Sequence, residues 1–203
     1  MPPLLALEGV EKVYRRGLFD RAPAFQLRVN RTFERSEIVG VMGPNGAGKT
    51  TLFEMIAGSN APSGGCVKVA GQDIQNVRYK QRDRLAIHYH QSYQVRHFSK
   101  TKPSFMMEQA ASDYPLVHLF DEPQFSTQDG YIGFMLDFFR KLRDENRLVF
   151  ICLHPTADYQ IRILKEICER FLFVSNGQVG NYQSFADLAS QGDVRQYLGA
   201  LVR

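Results

Sequence analysis

A chain of 203 residues, 44% hydrophobic and 23% charged, is long enough to bury a full core and too balanced in composition for a fibre or a disordered tail. Its formal charge of +4 is mildly basic; Arg82, Arg84, Arg96, Lys100 and Lys102 on one stretch, and Arg140, Lys141 and Arg143 on another, read as solvated faces rather than a nucleic-acid surface. Cys66, Cys152 and Cys168 are odd in number and widely spaced beside apolar residues, which suggests neither a disulfide framework nor a zinc cluster and suits a reducing compartment.

No run approaches the ~18 apolar residues of a membrane span. The opening Met1-Pro2-Pro3-Leu4-Leu5 lacks a basic segment followed by a long apolar core. A cytoplasmic location is therefore expected, with any attachment to a membrane made through a partner.

Leu5, Leu7, Val10, Val13 and Tyr14 mark a first apolar segment, and Phe25-Gln26-Leu27-Arg28-Val29-Asn30 alternates as a half-buried antiparallel strand does. These predict a small N-terminal antiparallel sheet. Glu34-Arg35-Ser36-Glu37 then turns the chain into the buried strand Ile38-Val39-Gly40-Val41-Met42.

Directly after that strand comes Gly43-Pro44-Asn45-Gly46-Ala47-Gly48-Lys49-Thr50-Thr51, leading into the helical Leu52-Phe53-Glu54-Met55-Ile56-Ala57. A strand that turns sharply into a helix points the free N–H groups of the first helical turn at an anion. Gly43, Gly46 and Gly48 permit the turn and a close phosphate approach. Lys49 is placed to reach the β- and γ-phosphates of a nucleotide, and Thr50 to offer a hydroxyl to Mg²⁺. The whole loop, with Pro44, Asn45, Ala47 and Thr51, is assigned to nucleotide binding.

Pro62-Ser63-Gly64-Gly65 ends one element, and Val67-Lys68-Val69 with Ala70-Gly71 reads as a strand and turn. After the charged stretch 78–84, Leu85-Ala86-Ile87 starts a strand that ends in His88-Tyr89-His90-Gln91. His88 and His90 would share a strand face, but no acidic or cysteine ligand accompanies them, so a metal site is not expected there. A short helix is predicted over 104–112.

Leu116-Val117-His118-Leu119-Phe120 is a buried strand that delivers Asp121 and Glu122 at its carboxyl end. Beside a phosphate loop, that pair suits phosphoryl transfer to water, with Asp121 holding Mg²⁺ through water and Glu122 polarising the attacking water. A helix is predicted over 129–143 from Ile132, Met135, Leu136 and Phe139. A further buried strand, Leu148-Val149-Phe150-Ile151-Cys152-Leu153, ends at His154, which can reach the same nucleotide. A helix over 157–169, a strand Phe171-Leu172-Phe173-Val174, a hairpin turn at Asn176-Gly177 and a helix cap at Ser184 complete the assignments.

In this order the pieces resemble the ATP-binding cassette (ABC) ATPases, from about Leu4 to about Leu188. The resemblance implies one nucleotide-binding domain over 1–203, an α/β P-loop fold whose mostly parallel sheet is flanked by helices and carries the small antiparallel sheet. It also implies roles. Tyr14 matches the aromatic residue that stacks on adenine, and residues 43–51 match the Walker A loop. Gln91 matches the glutamine that senses Mg²⁺ and the membrane partner. Asp121 and Glu122 match Walker B and its catalytic glutamate, Asp129 the D-loop aspartate, and His154 the switch histidine that contacts the γ-phosphate.

The chain departs from the family pattern in two places. Few residues separate Gln91 from Phe98-Ser99-Lys100-Thr101-Lys102, the counterpart of the LSGGQ signature, so the helical subdomain between Gln91 and Asp121 is strongly reduced. The signature's glycines are also replaced, and Pro103 interrupts the helix that follows. Family dimers close head to tail over ATP, and one lost preorganised donor typically costs ~10²–10³ in rate. The chain alone should therefore hydrolyse ATP weakly, unless a partner ATPase brings an intact signature or Lys100 or Lys102 substitutes for it.

The resulting expectation is the ATP-binding subunit of an ABC transport system. It would use ATP and Mg²⁺, form a homodimer or a heterodimer with another ABC ATPase, and act on an integral membrane subunit rather than on nucleic acid. Two alternatives stay open: a low-turnover, ATP-dependent dimerisation switch, and a soluble ABC ATPase with no part in transport.

Overall fold

The computed structural model describes residues 2–17, 23–90, 115–123, 125 and 131–202. Among these residues ten strands lie in one sheet: β1 Leu5–Tyr14, β2 Phe25–Phe33, β3 Ile38–Met42, β4 Gly64–Val69, β5 Gln72–Asp73, β6 Ala86–His90, β7 Val117–Asp121, β8 Leu148–Cys152, β9 Arg170–Ser175 and β10 Gln178–Tyr182. The described helices are α1 Lys49–Ile56, α2 Tyr79–Arg82, α3 Tyr131–Asp144, α4 Asp158–Ile167, α5 Phe185–Ala189 and α6 Gly192–Leu198, with a 3₁₀ turn over Gly199–Val202.

The strand order is β5-β4-β1-β2-β10-β9-β3-β8-β7-β6. From β9 to β6 the neighbours are parallel, and β1, β2, β4 and β5 pair antiparallel. β3, β7 and β8 are buried at every position, as strands covered on both faces must be. The N-terminal strands are not a separate sheet. Asn176 and Gly177 take the positive φ angles of a tight hairpin, 49° and 74°, and return β10 along β9, where its Gln178 pairs with Arg28 of β2. That pairing joins the antiparallel half to the parallel half.

Alternation along the central strands divides the interior into two cores. Val39 and Val41 of β3, with Phe150 and Cys152 of β8, face α1 and the antiparallel strands; Phe33 meets Phe150 edge-on at 5.2 Å. Ile38, Met42, Val149 and Ile151 face the helices α3 to α6, where Phe120, Phe138 and Phe139 cluster. The parallel strands are thus clamped between two apolar layers, and their carboxyl ends are fixed in register.

Helix α4 is shorter than the 157–169 expected. Cys168 is already extended, because the Glu169 N–H donates to the Ile38 carbonyl at 2.8 Å and draws the chain straight into β9. Helix α3 follows the expectation within the described residues; positions 129 and 130 and the helix expected over 104–112 lie outside them. The stretch carrying α6 had no assignment from sequence, and it packs Val194 and Leu198 into the second core.

Candidate functional site

Strand register assembles the site. Val41 of β3 pairs with Cys152 of β8, Cys152 with Asp121 of β7, and Asp121 with His90 of β6. The residues that follow these tips, Gly43, His154 and Glu122, therefore emerge along one edge of the sheet.

The loop after β3 depends on two glycines. Gly43 has a φ of 148°, and a Cβ there would lie 2.1 Å from the Val174 carbonyl oxygen, so the loop backbone presses against β9. Gly48, at φ 106°, is the N-cap of α1, and a Cβ there would meet the Phe25 ring at 2.6 Å. No side chain caps α1, so its first-turn N–H groups are available to an anion.

Lys49 is only 7% exposed, and its ammonium donates to the carbonyls of Gly43 at 2.7 Å and Pro44 at 2.9 Å. No carboxylate pairs with it among the described residues. A buried cation held by neutral oxygens gains from the arrival of an anion.

Beside it, the Thr50 hydroxyl donates to Asp121 Oδ2 at 2.9 Å, and His88 Nε2 lies 3.3 Å from the same oxygen. Asp121 is 5% exposed. Burial alone would raise its pKa, but the hydrogen bonds from His88 and Thr50 outweigh it and hold the carboxyl below its ordinary value. An ionised carboxylate and a hydroxyl are hard oxygen donors of the kind Mg²⁺ takes, in the small number it takes from protein when phosphate and water supply the rest. The residues present fit that ion.

Glu122 is exposed and has a φ of 51°, an uncommon conformation for a side chain of this size, fixed by its N–H bond to the Cys152 carbonyl at 3.0 Å. Glu122 borders a cavity of about 460 Å³, whose walls also include Lys49, Thr50, Thr51 and Asp121. Asn45, Gly46 and Gly48 of the loop also line the cavity, as do Tyr14 and Phe25. Tyr14 is 40% exposed, tilts against Phe25 with ring centroids 5.7 Å apart, and accepts a hydrogen bond from Asn60 at 2.7 Å.

The structure thus brings together Tyr14, Asn45, Gly46, Gly48, Lys49, Thr50, Thr51, Asp121 and Glu122. Pro44 and Ala47 border a neighbouring cavity on the other side of the loop, and Gly43 is loop scaffold. His154 is absent from the cavity wall; its Nδ1 lies 2.7 Å from the Tyr197 hydroxyl. Gln91, Ser99, Lys100, Lys102 and Asp129 lie outside the described residues.

Sequence reasoning missed three contributors: Phe25, His88 and Tyr197. Phe25 carried a signal, since an aromatic residue opposite Tyr14 in an antiparallel pair shares its face. His88 was singled out only for its spacing from His90. Tyr197 stood in a segment with no motif.

A glycine loop between a buried strand and a helix, with a hydroxyl and a carboxylate bonded at its mouth, defines a P-loop nucleotide-binding domain. The model of the ABC transporter family matches residues 27–134, more than half of the chain, and the chain belongs to that family. It is 26% identical over 179 residues to the Nod factor export ATP-binding protein I of Ralstonia nicotianae, an alignment covering 88% of this chain and 47% of that protein. With the spermidine/putrescine import ATP-binding protein PotA of Thermobifida fusca it shares 35% identity over 81 residues, 40% of this chain and 21% of the relative. The chain spans about half or less of the length of these curated relatives.

Among solved structures, an ATP-bound bacterial Atm1-family ABC exporter matches all of this chain with 42% of its own, at a TM-score of 0.72 and 15% identity. An ATP-binding subunit of an ABC transporter matches 98% of this chain and 100% of its own, at a TM-score of 0.64 and 18% identity. At these identities the likeness is one of fold.

Proposed function

We propose that this chain is the ATP-binding subunit of an ABC transport system, hydrolysing ATP with Mg²⁺ and driving an integral membrane partner. The observation that carries the reading is the Thr50–Asp121 hydrogen bond at the mouth of a loop whose lysine is held, among the described residues, by the carbonyls of Gly43 and Pro44.

Adenine would stack on the shelf made by Tyr14 and Phe25. The triphosphate would lie along the loop, receiving the N–H groups of the α1 N-terminus, while the Lys49 ammonium exchanges the Gly43 and Pro44 carbonyls for β- and γ-phosphate oxygens. Thr50 and Asp121 would hold Mg²⁺, which supplies a positive centre that neutralises charge on the phosphates.

Glu122 would accept a hydrogen bond from the attacking water and aim its oxygen at the γ-phosphorus. The new phosphorus–oxygen bond forms as the bond to the bridging oxygen breaks, leaving ADP and phosphate. Gln91 would join the ion to the partner surface, and His154 would meet the γ-phosphate in the closed dimer. Both parts, and the homo- or heterodimer itself, are carried over from the family.

Purification of the tagged chain from solubilised membranes tests the transport reading. A polytopic partner whose presence raises Mg-ATP hydrolysis is the expected result. A chain that stays alone in the soluble fraction, with turnover that no membrane fraction alters, would contradict it.

A further inference from the structure

Tyr197 sits on α6, far in sequence from every motif of the site, yet its ring packs against Phe173 of β9 and against His154, which follows β8. Met42 of β3 pairs with Phe173 of β9 and Val41 with Cys152 of β8, so Gly43, Phe173 and His154 lie next to one another. The Tyr197 ring centroid is 5.5 Å from that of Phe173 and 5.4 Å from that of His154. Its oxygen lies 2.7 Å from His154 Nδ1. Val194 and Leu198 anchor α6 in the core, and the Ser175 hydroxyl donates to Asp193 at 3.3 Å, so the tyrosine is held on a fixed support.

The direction of the hydrogen bonds follows from the groups around the phenol. Burial pushes its pKa up to about 12, against the Gly43 main-chain N–H, which favours the ionised form. The phenol therefore keeps its proton through the neutral range. Among the described residues the group at hydrogen-bond distance from the phenol is His154 Nδ1, so a buried hydroxyl that keeps its hydrogen has that nitrogen to donate it to.

We propose that Tyr197 is a positioning residue that sets the tautomer of His154, by donating to Nδ1 and so leaving the proton of the neutral imidazole on Nε2. This rests on the reading of His154 as the group that meets the γ-phosphate. With the proton on Nε2, the imidazole presents a donor to a phosphate oxygen; the other tautomer would present a lone pair to an anion.

Tyr197→Phe tests the assignment, since it keeps the ring against Phe173 and removes only the hydroxyl. Imidazole nitrogen spectra of the ¹⁵N-labelled wild type should show His154, identified by the signal lost in His154→Asn, as the Nε2–H tautomer at neutral pH. In Tyr197→Phe the same signal should move to a mixture of tautomers, with kcat down about tenfold or more. KM should stay within about twofold, because the phenol does not touch the nucleotide. A wild-type His154 in the Nδ1–H form, or a tautomer indifferent to Tyr197→Phe, would overturn the proposal. Unchanged turnover in His154→Asn would instead remove His154 from the γ-phosphate, an outcome the spectra distinguish because they read the tautomer without reference to hydrolysis.

Discussion

Thr50 and Asp121 stand 71 residues apart in sequence and share a hydrogen bond of 2.9 Å between the first turn of α1 and the end of β7. The contact joins the loop that would hold the phosphates to the strand that would place the metal ion and the water. Asp121→Asn keeps the shape and removes the charge. Its predicted effect is to cancel most of the Mg²⁺ dependence of ATP affinity while leaving metal-free binding close to wild type. Calorimetric titration of ATP with and without Mg²⁺ measures this, and an unchanged Mg²⁺ effect would remove Asp121 from the metal site. Thr50→Val should act in the same direction and cost about 1 kcal/mol of stability, the usual worth of one hydrogen bond.

In the proposed mechanism Glu122 contributes to chemistry rather than to affinity. It is exposed on the cavity wall, and its left-handed backbone is set by a bond to Cys152, not by contact with the loop. Glu122→Gln is predicted to bind Mg-ATP as the wild type does and to release phosphate ~10²–10⁴ times more slowly, the usual contribution of a positioned base. Single-turnover phosphate release compares the two; equal rates would exclude the role.

His118 should give the fold a pH dependence of its own. It is 0% exposed, has the Tyr89 and Phe120 rings 5.9 and 6.2 Å away, and its pKa is pushed down to about 3 by burial first and by the nearby Arg147 second. An unfolded histidine titrates near 6.5, so below that pH the unfolded chain takes up a proton that the folded chain refuses. Stability therefore falls as pH drops from about 6.5 toward about 3, by at most ~1.4 kcal/mol per unit from this group. Urea melts of the wild type and His118→Phe at pH 7 and pH 5 should show a smaller loss for the variant. Equal losses would mean that His118 is protonated in the fold.

The central strands were legible because burial on both faces writes them as continuous apolar runs, as in Ile38 to Met42 and Leu148 to Cys152. The phosphate loop was legible because its backbone accepts few residue types: Gly43 has the Val174 carbonyl where a Cβ would be. What stayed hidden arises from pairing between distant segments. His88 meets Asp121 only because β6 and β7 lie parallel in one register, and nothing local to either residue encodes that. Tyr197 lies in a helix of seven residues with only Val194 and Leu198 fully buried, too short for its period to stand out. The join between β10 and β2 rests on the single pair Gln178 and Arg28, so a continuous sheet could not be told from two.

The central claim is that the loop around Lys49 binds the phosphates of Mg-ATP. Titration of Mg-ATP into the wild type and Lys49→Ala, with thermal melts to confirm that both are folded, tests it most directly. Among the described residues the buried ammonium is held by the Gly43 and Pro44 carbonyls, so its loss removes charge-assisted bonds to phosphate. Saturable binding by the wild type, weakened about tenfold to a hundredfold or more in the variant, is the predicted result. Equal affinity in two folded proteins would contradict the account.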